Sequence, residues 1–384
     1  MKNRTLMKFF AAACCARAAL LPAPAFAGAG TSGGEFLRIV QSPRVVGMGE
    51  SGTGGYGDLL GALALNPAAL ARIAYKEAAF TYNSWLEGIT SQQAAYAHPL
   101  ANGRGVLTGS LSLLNVPPID GYNNSGVYSG KVESGDLAAA VSYAVRLGGP
   151  WDDRRSGIFA GGTIKYARET LDTVSAGSAL FDAGALFIKR VRGGVLGLGL
   201  SAQSLGGGFK FDSGTDPAPT VYRAGASYII LASGDPVTFS LDLKKPRDSD
   251  TVVCAGAEYQ AWRILALRAG YISGEDLGGG LRVGGGVSLK LLQFDYSLST
   301  YGKFGPAHRF SLSYKFDKPV EVTKYRTHEQ EQARQKMEQA RIMMQESRYY
   351  EAVLKLNEAL ILDPGYKEAL ELMRKARAMV EVAK

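Results

Sequence analysis

The chain has little cysteine and histidine, with three of each among 384 residues. Cys14 and Cys15 fall in a segment expected to be removed, so the mature chain keeps only Cys254. A single thiol can form neither an intramolecular disulfide nor a cysteine-based zinc site. The histidines lack the spacing of a metal site and give no sign of a Ser-His catalytic pair; they are His98, His308 and His328. We therefore predict no metal, no cofactor and no enzymatic activity.

The chain also lacks long apolar runs, although 46% of its residues are hydrophobic. Its start has a basic end, an apolar stretch from Phe9 to Leu20 and the sequence Ala25-Phe26-Ala27 before Gly28. That order is typical of a secretory signal peptide, here residues 1–27. A spanning helix needs about 20 uninterrupted apolar residues. No later segment approaches that length, which argues against a helical membrane protein.

Excess positive charge is absent from the predicted mature chain. The formal charge of +8 falls to +4 when the signal peptide removes its four basic residues, which are Lys2, Arg4, Lys8 and Arg17. Nucleic acid is therefore not a predicted partner.

Glycine and aromatic residues are abundant, with 48 Gly, 19 Tyr and 15 Phe, where the usual share of glycine is about 7%. From residue 77 to 317 apolar residues alternate with small or polar ones in runs bounded by turn residues, the pattern of strands with two different faces. In the last run Phe310, Leu312 and Tyr314 alternate with serines. We predict fourteen strands, near residues 77–85, 91–99, 104–114, 135–147, 157–168, 177–189, 194–204, 220–231, 236–245, 251–260, 262–272, 279–289, 291–300 and 308–316.

These runs favour an all-β transmembrane barrel of about 14 antiparallel strands over a soluble sandwich or barrel. Tilted membrane strands need about 9 to 11 residues, and long predicted connections (115–134, 205–219) alternate with short ones, as in outer-membrane barrels. The second face is small or polar, which suits a wet lumen. Its charged residues have mixed signs and are expected to pair with one another; they are Asp182, Arg223, Asp242, Lys244, Glu258, Arg268, Arg282 and Asp295.

The period changes to 3.6 after the barrel, and glycine nearly vanishes. We predict a linker at 318–328 and a small α-helical C-terminal domain at 329–384. Residues 347–364 resemble a tetratricopeptide repeat, whose small Ala positions let two helices pack closely. The resemblance implies a protein partner on the surface near Met343, Tyr350 and Leu354.

Residues 28–76 do not alternate and are predicted to form an N-terminal hatch, or plug. They contain Arg44-Val45-Val46-Gly47-Met48-Gly49 and, some twenty residues later, Asn66-Pro67-Ala68. Asn-Pro fixes a turn, and Gly47 and Gly49 allow the backbone to pass close to a barrel wall. We predict Gly47, Met48, Gly49, Asn66, Pro67 and Ala68 as hatch residues, serving either as a fixed plug or as a moving gate.

Residues 34–85 resemble the start of the PorV/PorQ family, within the FadL-like group of outer-membrane barrels. The resemblance implies a fourteen-stranded barrel whose N-terminus folds inward. Resemblance to PorV-like proteins implies that the chain is a binding or anchoring component for secretion or surface assembly. Resemblance to FadL-like proteins implies the alternative, a transporter of hydrophobic small molecules, which should have an apolar pocket beside the hatch.

The strand count predicts the location of the chain ends. We expect an outer-membrane protein in contact with lipid. Because an even number of crossings returns a chain to its starting side, both termini of the mature chain are expected in the periplasm.

Overall fold

The computed structural model describes residues 30–55, 58–101, 105–149, 156–212, 214–232, 234–274, 278–317, 319–320, 328–363 and 366–382. The predicted signal peptide (1–27) and most of the predicted linker lie outside the described residues. The chain divides into two compact units between Glu321 and Val322, within that linker. In the described residues no helix is both long and apolar enough to span a membrane.

The first unit is a closed antiparallel barrel of fourteen strands, as predicted. A further pair, β8 and β9, forms a small separate hairpin. The strands are β1 (Lys76–Ser84), β2 (Thr90–Pro99), β3 (Val106–Tyr122), β4 (Tyr128–Gly148), β5 (Gly157–Leu171), β6 (Val174–Val191), β7 (Gly194–Gly206), β8 (Phe209–Phe211), β9 (Gly214–Asp216), β10 (Val221–Ala232), β11 (Asp235–Pro246), β12 (Val252–Ala261), β13 (Leu265–Ile272), β14 (Leu281–Ser288), β15 (Leu292–Thr300) and β16 (Pro306–Phe316).

Closure joins the first strand to the last. β1 pairs with β16 from Lys76↔Phe316 to Ser84↔His308. We call the end of the barrel at Lys76 and Phe316 the base, and the opposite end the mouth. A closed barrel leaves no strand edge unpaired, which is what a sheet in lipid requires.

The wall is apolar outside and polar inside. On β16, Phe310, Leu312 and Tyr314 are 51%, 40% and 45% exposed, whereas Ser311 and Ser313 are 7% and 6% exposed. The outer face continues around the barrel with residues such as Phe80, Leu111, Ile164, Leu200, Leu241, Leu267 and Phe294. A water-soluble barrel would reverse these faces, so the alternation places lipid outside.

The hairpin of β3 and β4 is longer than the sequence indicated. Residues 115–134 were expected to form a polar connection, but β3 continues to Tyr122 and β4 begins at Tyr128. The register shifts between Val116 and Ile119. This part of the hairpin is largely exposed on both faces, so it has no need of the apolar alternation that reveals a lipid-facing strand.

The hatch, residues 30–75, fills the lumen with short helices. They are α1 (Pro43–Gly47), α2 (Leu59–Leu65) and the 3-10 turns Glu35–Arg38 and Pro67–Arg72. Ser42 caps α1 through its hydroxyl, and Asp58 caps α2 through its carboxylate. Such caps satisfy the free N–H groups of a helix start, which matters here because these ends are buried.

The hatch runs the length of the lumen and begins at the mouth. The Gly33 N–H donates to the Pro217 carbonyl, and the Gly34 N–H donates to Glu169, both near the mouth ends of strands. Residues 30–38 thus lie near the mouth. Both termini of the mature chain fall outside the described residues, so their shared periplasmic side stays a prediction. Fourteen strands do return Phe316 to the base. The strand count leaves out the hatch, which passes through the lumen once more before β1.

The second unit consists of three helices, α3 (His328–Gln345), α4 (Tyr349–Leu362) and α5 (Lys367–Val382). α3 packs on α4, and α4 packs on α5. Their shared core is built mainly from small Ala residues with Met337, Leu356 and Met373, so the helix axes can approach closely.

Leu312 tests the lipid face. Arg at the midplane of this face costs about 2 to 4 kcal/mol, so Leu312→Arg should reduce the amount of heat-modifiable barrel in the outer membrane. Leu312→Phe, which keeps the position apolar, should assemble like the parent. Equal assembly of both variants would mean that Leu312 does not face lipid.

Candidate functional site

The hatch contacts the wall along a row of inward-facing glycines. The glycine row consists of Gly161 on β5, Gly184 on β6, Gly197 and Gly199 on β7, Gly225 on β10, Gly256 on β12, Gly270 on β13 and Gly284 on β14. Gly161 and Gly184 are direct cross-strand partners, as are Gly199 and Gly225, and Gly256 and Gly270. None of them has a positive φ, so glycine is needed there for space and not for backbone conformation.

A Cβ atom on this row would collide with the hatch. At Gly256 it would meet the Met48 carbonyl under 3.0 Å away, and at Gly270 it would meet Gly49 equally closely. Gly49 itself has φ 65° and lies against β13 at Tyr271. The Gly47-Met48-Gly49 motif thus reaches the wall backbone to backbone.

Asn66-Pro67-Ala68 sits on the same row. A Cβ at Gly184 would meet Asn66, and one at Gly161 would meet Pro67. The Asn66 Nδ2 donates to the Thr53 carbonyl at 3.1 Å and to the Ala185 carbonyl at 3.0 Å, while its Oδ1 accepts from the Ala68 N–H at 3.0 Å. One amide therefore joins two parts of the hatch to the wall. All six predicted hatch residues lie against the wall, with Met48 and Ala68 fully buried.

Three of the eight charged wall residues, Glu258, Arg268 and Asp295, pair with one another as expected; others pair with charges that were not predicted, several of them on the hatch. Arg44 donates to both oxygens of Glu258, at 2.9 and 2.7 Å, and to Asp58 at 3.0 Å. Glu258 also accepts from Arg268, whose Nη1 reaches Asp295 at 2.6 Å. The wall charges were predicted from the sequence, but Arg44 was not predicted to pair with them, although it stands in the same hatch motif as Gly47.

Glu50 holds a second ionic cluster. Its carboxylate contacts Lys244 at 2.7 Å and Arg223 at 3.5 Å. Burial would raise the pKa of Glu50, but the charges of Lys244 and Arg223 lower it to about 2. Asp242 beside them accepts from the N–H groups of Gly52 and Thr53 at 3.1 and 2.9 Å. These contacts fix residues 50–53 against β10 and β11.

A cavity of about 110 Å³ lies beside the hatch. Its hatch side is mostly apolar, with Phe36, Leu37, Ile39, Val40 and Leu63; its wall side is mostly polar, with Gln93, Ser112, Thr163, Gln203 and the ion pair of Lys165 with Asp182 at 2.8 Å. The cavity can therefore take a small molecule that has an apolar face and a hydrogen-bonding group.

Residues 32–38, which we call the mouth segment, reach from this cavity to the mouth. Arg38 contacts Asp248 at 2.7 Å, and the Ser32 hydroxyl donates to the same carboxylate at 2.7 Å. Burial opposes ionisation of Asp248, but hydrogen bonds from Ser32 and Arg38 keep its pKa below the usual range. The ionised Asp248 therefore stabilises the folded state at every pH above the ordinary carboxylate pKa. This stabilisation is lost only as pH falls through the lowered pKa of Asp248, so the Arg38–Asp248 ion pair persists at neutral pH.

The predicted partner residues of the helical unit differ in exposure. Tyr350 and Leu354 are 60% and 63% exposed. Met343 is half-buried and packs on the core shared by the three helices. Only the first two lie open to a partner.

No family model and no curated protein matches the chain. Solved structures with a similar fold include the toluene transporter TbuX of Ralstonia pickettii, at 11% identity and a TM-score of 0.47, covering 73% of this chain and 100% of that one. The toluene transporter TodX of Pseudomonas putida has 12% identity, a TM-score of 0.45 and coverages of 71% and 96%. A FadL homologue of Pseudomonas aeruginosa has 12% identity, a TM-score of 0.41 and coverages of 72% and 98%.

Gly270 tests the docking of the hatch. Gly270→Ala should overpack the contact with Gly49 and destabilise the folded barrel by about 1–3 kcal/mol, seen as a lower temperature at which the heat-modifiable band disappears. Gly109 on β3 has nothing within 4 Å of its added Cβ, so Gly109→Ala is the matched control. Equal midpoints for the two variants would show that the hatch does not rest on Gly270.

Proposed function

We propose that the protein is an outer-membrane channel for small hydrophobic molecules that carry a hydrogen-bonding group. The cavity beside the hatch is the observation that carries this proposal, because an anchoring barrel has no use for such a pocket. Its volume of about 110 Å³ is near the roughly 150 Å³ of an apolar cavity that holds benzene. A solute of one small ring fits this space.

The two sides of the cavity suggest how a solute would be oriented. Phe36 and Val40 on the hatch side would take its apolar part. On the wall side, the Lys165–Asp182 pair and Gln203 would hydrogen-bond its polar group. Well-placed polar groups beside an apolar surface are the usual basis of small-molecule selectivity.

The direction of entry follows from the connections between strands. The extended β3–β4 hairpin and the β8–β9 hairpin lie at the mouth, whereas turns such as Arg192–Gly193 at the base are short. Outer-membrane barrels have long loops outside and short periplasmic turns. The mouth would then face outward, the base would face the periplasm, and the mouth segment would have to move for a solute to reach the cavity.

Uptake in cells tests this function. Ala140 lines the cavity on β4, and its neighbour Ala139 is exposed on the outer face. Ala140→Trp fills the cavity and should lower the initial uptake rate of a phenol-sized probe several-fold. Ala139→Trp adds the same side chain outside and should leave the rate unchanged at equal amounts of folded protein. Undiminished uptake with Ala140→Trp would contradict the proposal.

A second candidate function is the PorV/PorQ-type anchoring or secretion role, favoured by the surface of the helical unit. Tyr350, Leu354 and Ile361 are 60%, 63% and 79% exposed. Their spacing of four and seven residues places them on one side of α4. An exposed apolar stripe of this kind suits a protein partner, which would meet the unit in the periplasm.

Truncation separates the two functions. A chain ending at Lys318 keeps β16 and its complete pairing with β1, so it should still form a heat-modifiable barrel and take up the probe at the parental rate. Loss of surface assembly or secretion with uptake retained would support the anchoring role. If the truncated chain retains both functions, the helical unit is a passive extension and has no part in anchoring or secretion; if the truncated chain fails to assemble, the helices belong to the barrel fold.

A further inference from the structure

Arg309 on β16 is a buried cation with few partners. It is 1% exposed and points into the lumen near the mouth. Its Nη1 donates to the Ser299 hydroxyl at 3.1 Å, and its guanidinium lies 4.5 Å from the centre of the Trp85 ring. Arg309 also hydrogen-bonds to the Tyr301 side chain, whereas its Nε has no hydrogen-bond partner. Within the described chain, no carboxylate forms an ion pair with Arg309.

The carboxylate that acts on Arg309 electrostatically is already engaged by other cations. Glu50 acts on Arg309 electrostatically, but its carboxylate contacts Lys244 and Arg223. A second guanidinium, that of Arg282, is close enough to repel Arg309 and lies 4.8 Å from the Tyr301 ring. Positive charge thus accumulates below the two aromatic rings, which are 5.1 Å apart.

Other polar atoms near Arg309 also lack partners. Ser297 and Asn83 are its direct neighbours on β15 and β1, and the Ser297 hydroxyl and the Asn83 Oδ1 have no hydrogen bond. Thr81, one inward position further along β1, has a hydroxyl without a partner as well. Buried polar groups are normally satisfied, so a cluster of them marks a place where a polar ligand or water belongs.

The register places this cluster where the glycine row ends. Gly284 pairs with Ser297, Ser297 pairs with Arg309, and Arg309 pairs with Asn83. From β5 to β14 the glycine row brings the hatch backbone onto the wall; on β15, β16 and β1 side chains occupy the same interval. On this arc the wall therefore presents polar side chains, donors among them, at the level where the other strands present glycine.

The geometry points to a buried site for a small inorganic anion of the chloride class, formed by Arg309 with the Ser297 hydroxyl as a second donor. A cation removed from water without a counter-charge costs several kcal/mol, and an anion offsets that cost. Trp85 and Tyr301 cover the arginines at the mouth, so a compact anion fits and a bulky one does not. This site is separate from the cavity beside the hatch, and it does not depend on the proposed transport function.

Unfolding in two salts tests the site. A ligand that binds only the folded state raises the unfolding midpoint. Full-length protein should therefore lose its heat-modifiable band at a higher temperature in chloride than in gluconate of equal ionic strength, because gluconate is too large. Arg309→Gln should abolish this difference, Arg309→Lys should keep part of it, and Arg263→Gln, at an exposed turn, should keep all of it.

Each other outcome overturns the proposal. If the parent protein unfolds at the same temperature in both salts, no anion is bound. If Arg309→Gln lowers both midpoints equally, Arg309 acts only through packing on Trp85. If Arg309→Gln fails to assemble, Ser297→Val serves instead: it retains Arg309 but removes the second donor, so a full chloride effect in that variant would exclude the site.

Discussion

Direct contact between the hatch backbone and glycines of the wall is the constraint on which the rest of the structure depends. The lumen of a fourteen-stranded barrel could hold the hatch at many positions if side chains lay between them. Where Gly256 and Gly270 face Met48 and Gly49, a Cβ would come under 3.0 Å from the hatch, so the observed register is sterically possible only with glycine at these positions. The abundance of glycine in this chain therefore reflects hatch docking as well as tight turns.

The buried charges follow from that contact. A hatch pressed onto the wall removes its own carboxylates and N–H groups from water, and the wall must satisfy them. Arg44 with Glu258, and Glu50 with Lys244, are such pairs. Buried ion pairs contribute little net stability, but losing one partner leaves a costly lone charge. Their effect here is to make any shifted hatch position unfavourable.

Strands that contact lipid could be predicted from the sequence, whereas elements that do not contact lipid could not. All fourteen barrel strands could be located because a lipid-facing strand must alternate. The outer part of β3 and β4 could not, since both of its faces are wet. Gly47 and Asn66 were recognisable as hatch residues, yet their wall partners were not: an inward glycine such as Gly184 looks like any other glycine. The Arg38–Asp248 pair joins residues too far apart in sequence to be matched by pattern.

The contacts of the hatch divide it into two parts. Residues 47–55 and 66–68 rest on the glycine row through backbone atoms, so moving them would separate close contacts across several strands at once. The mouth segment is held differently, by Arg38 and Ser32 on Asp248, Gly33 on Pro217 and Gly34 on Glu169, with Phe36 packed in a small apolar cluster. Such contacts can be exchanged for water at modest cost. Plug and gate are therefore not alternatives for one and the same element. Residues 47–55 and 66–68 have the contacts of a fixed plug, and any gating motion would be made by the mouth segment that precedes them.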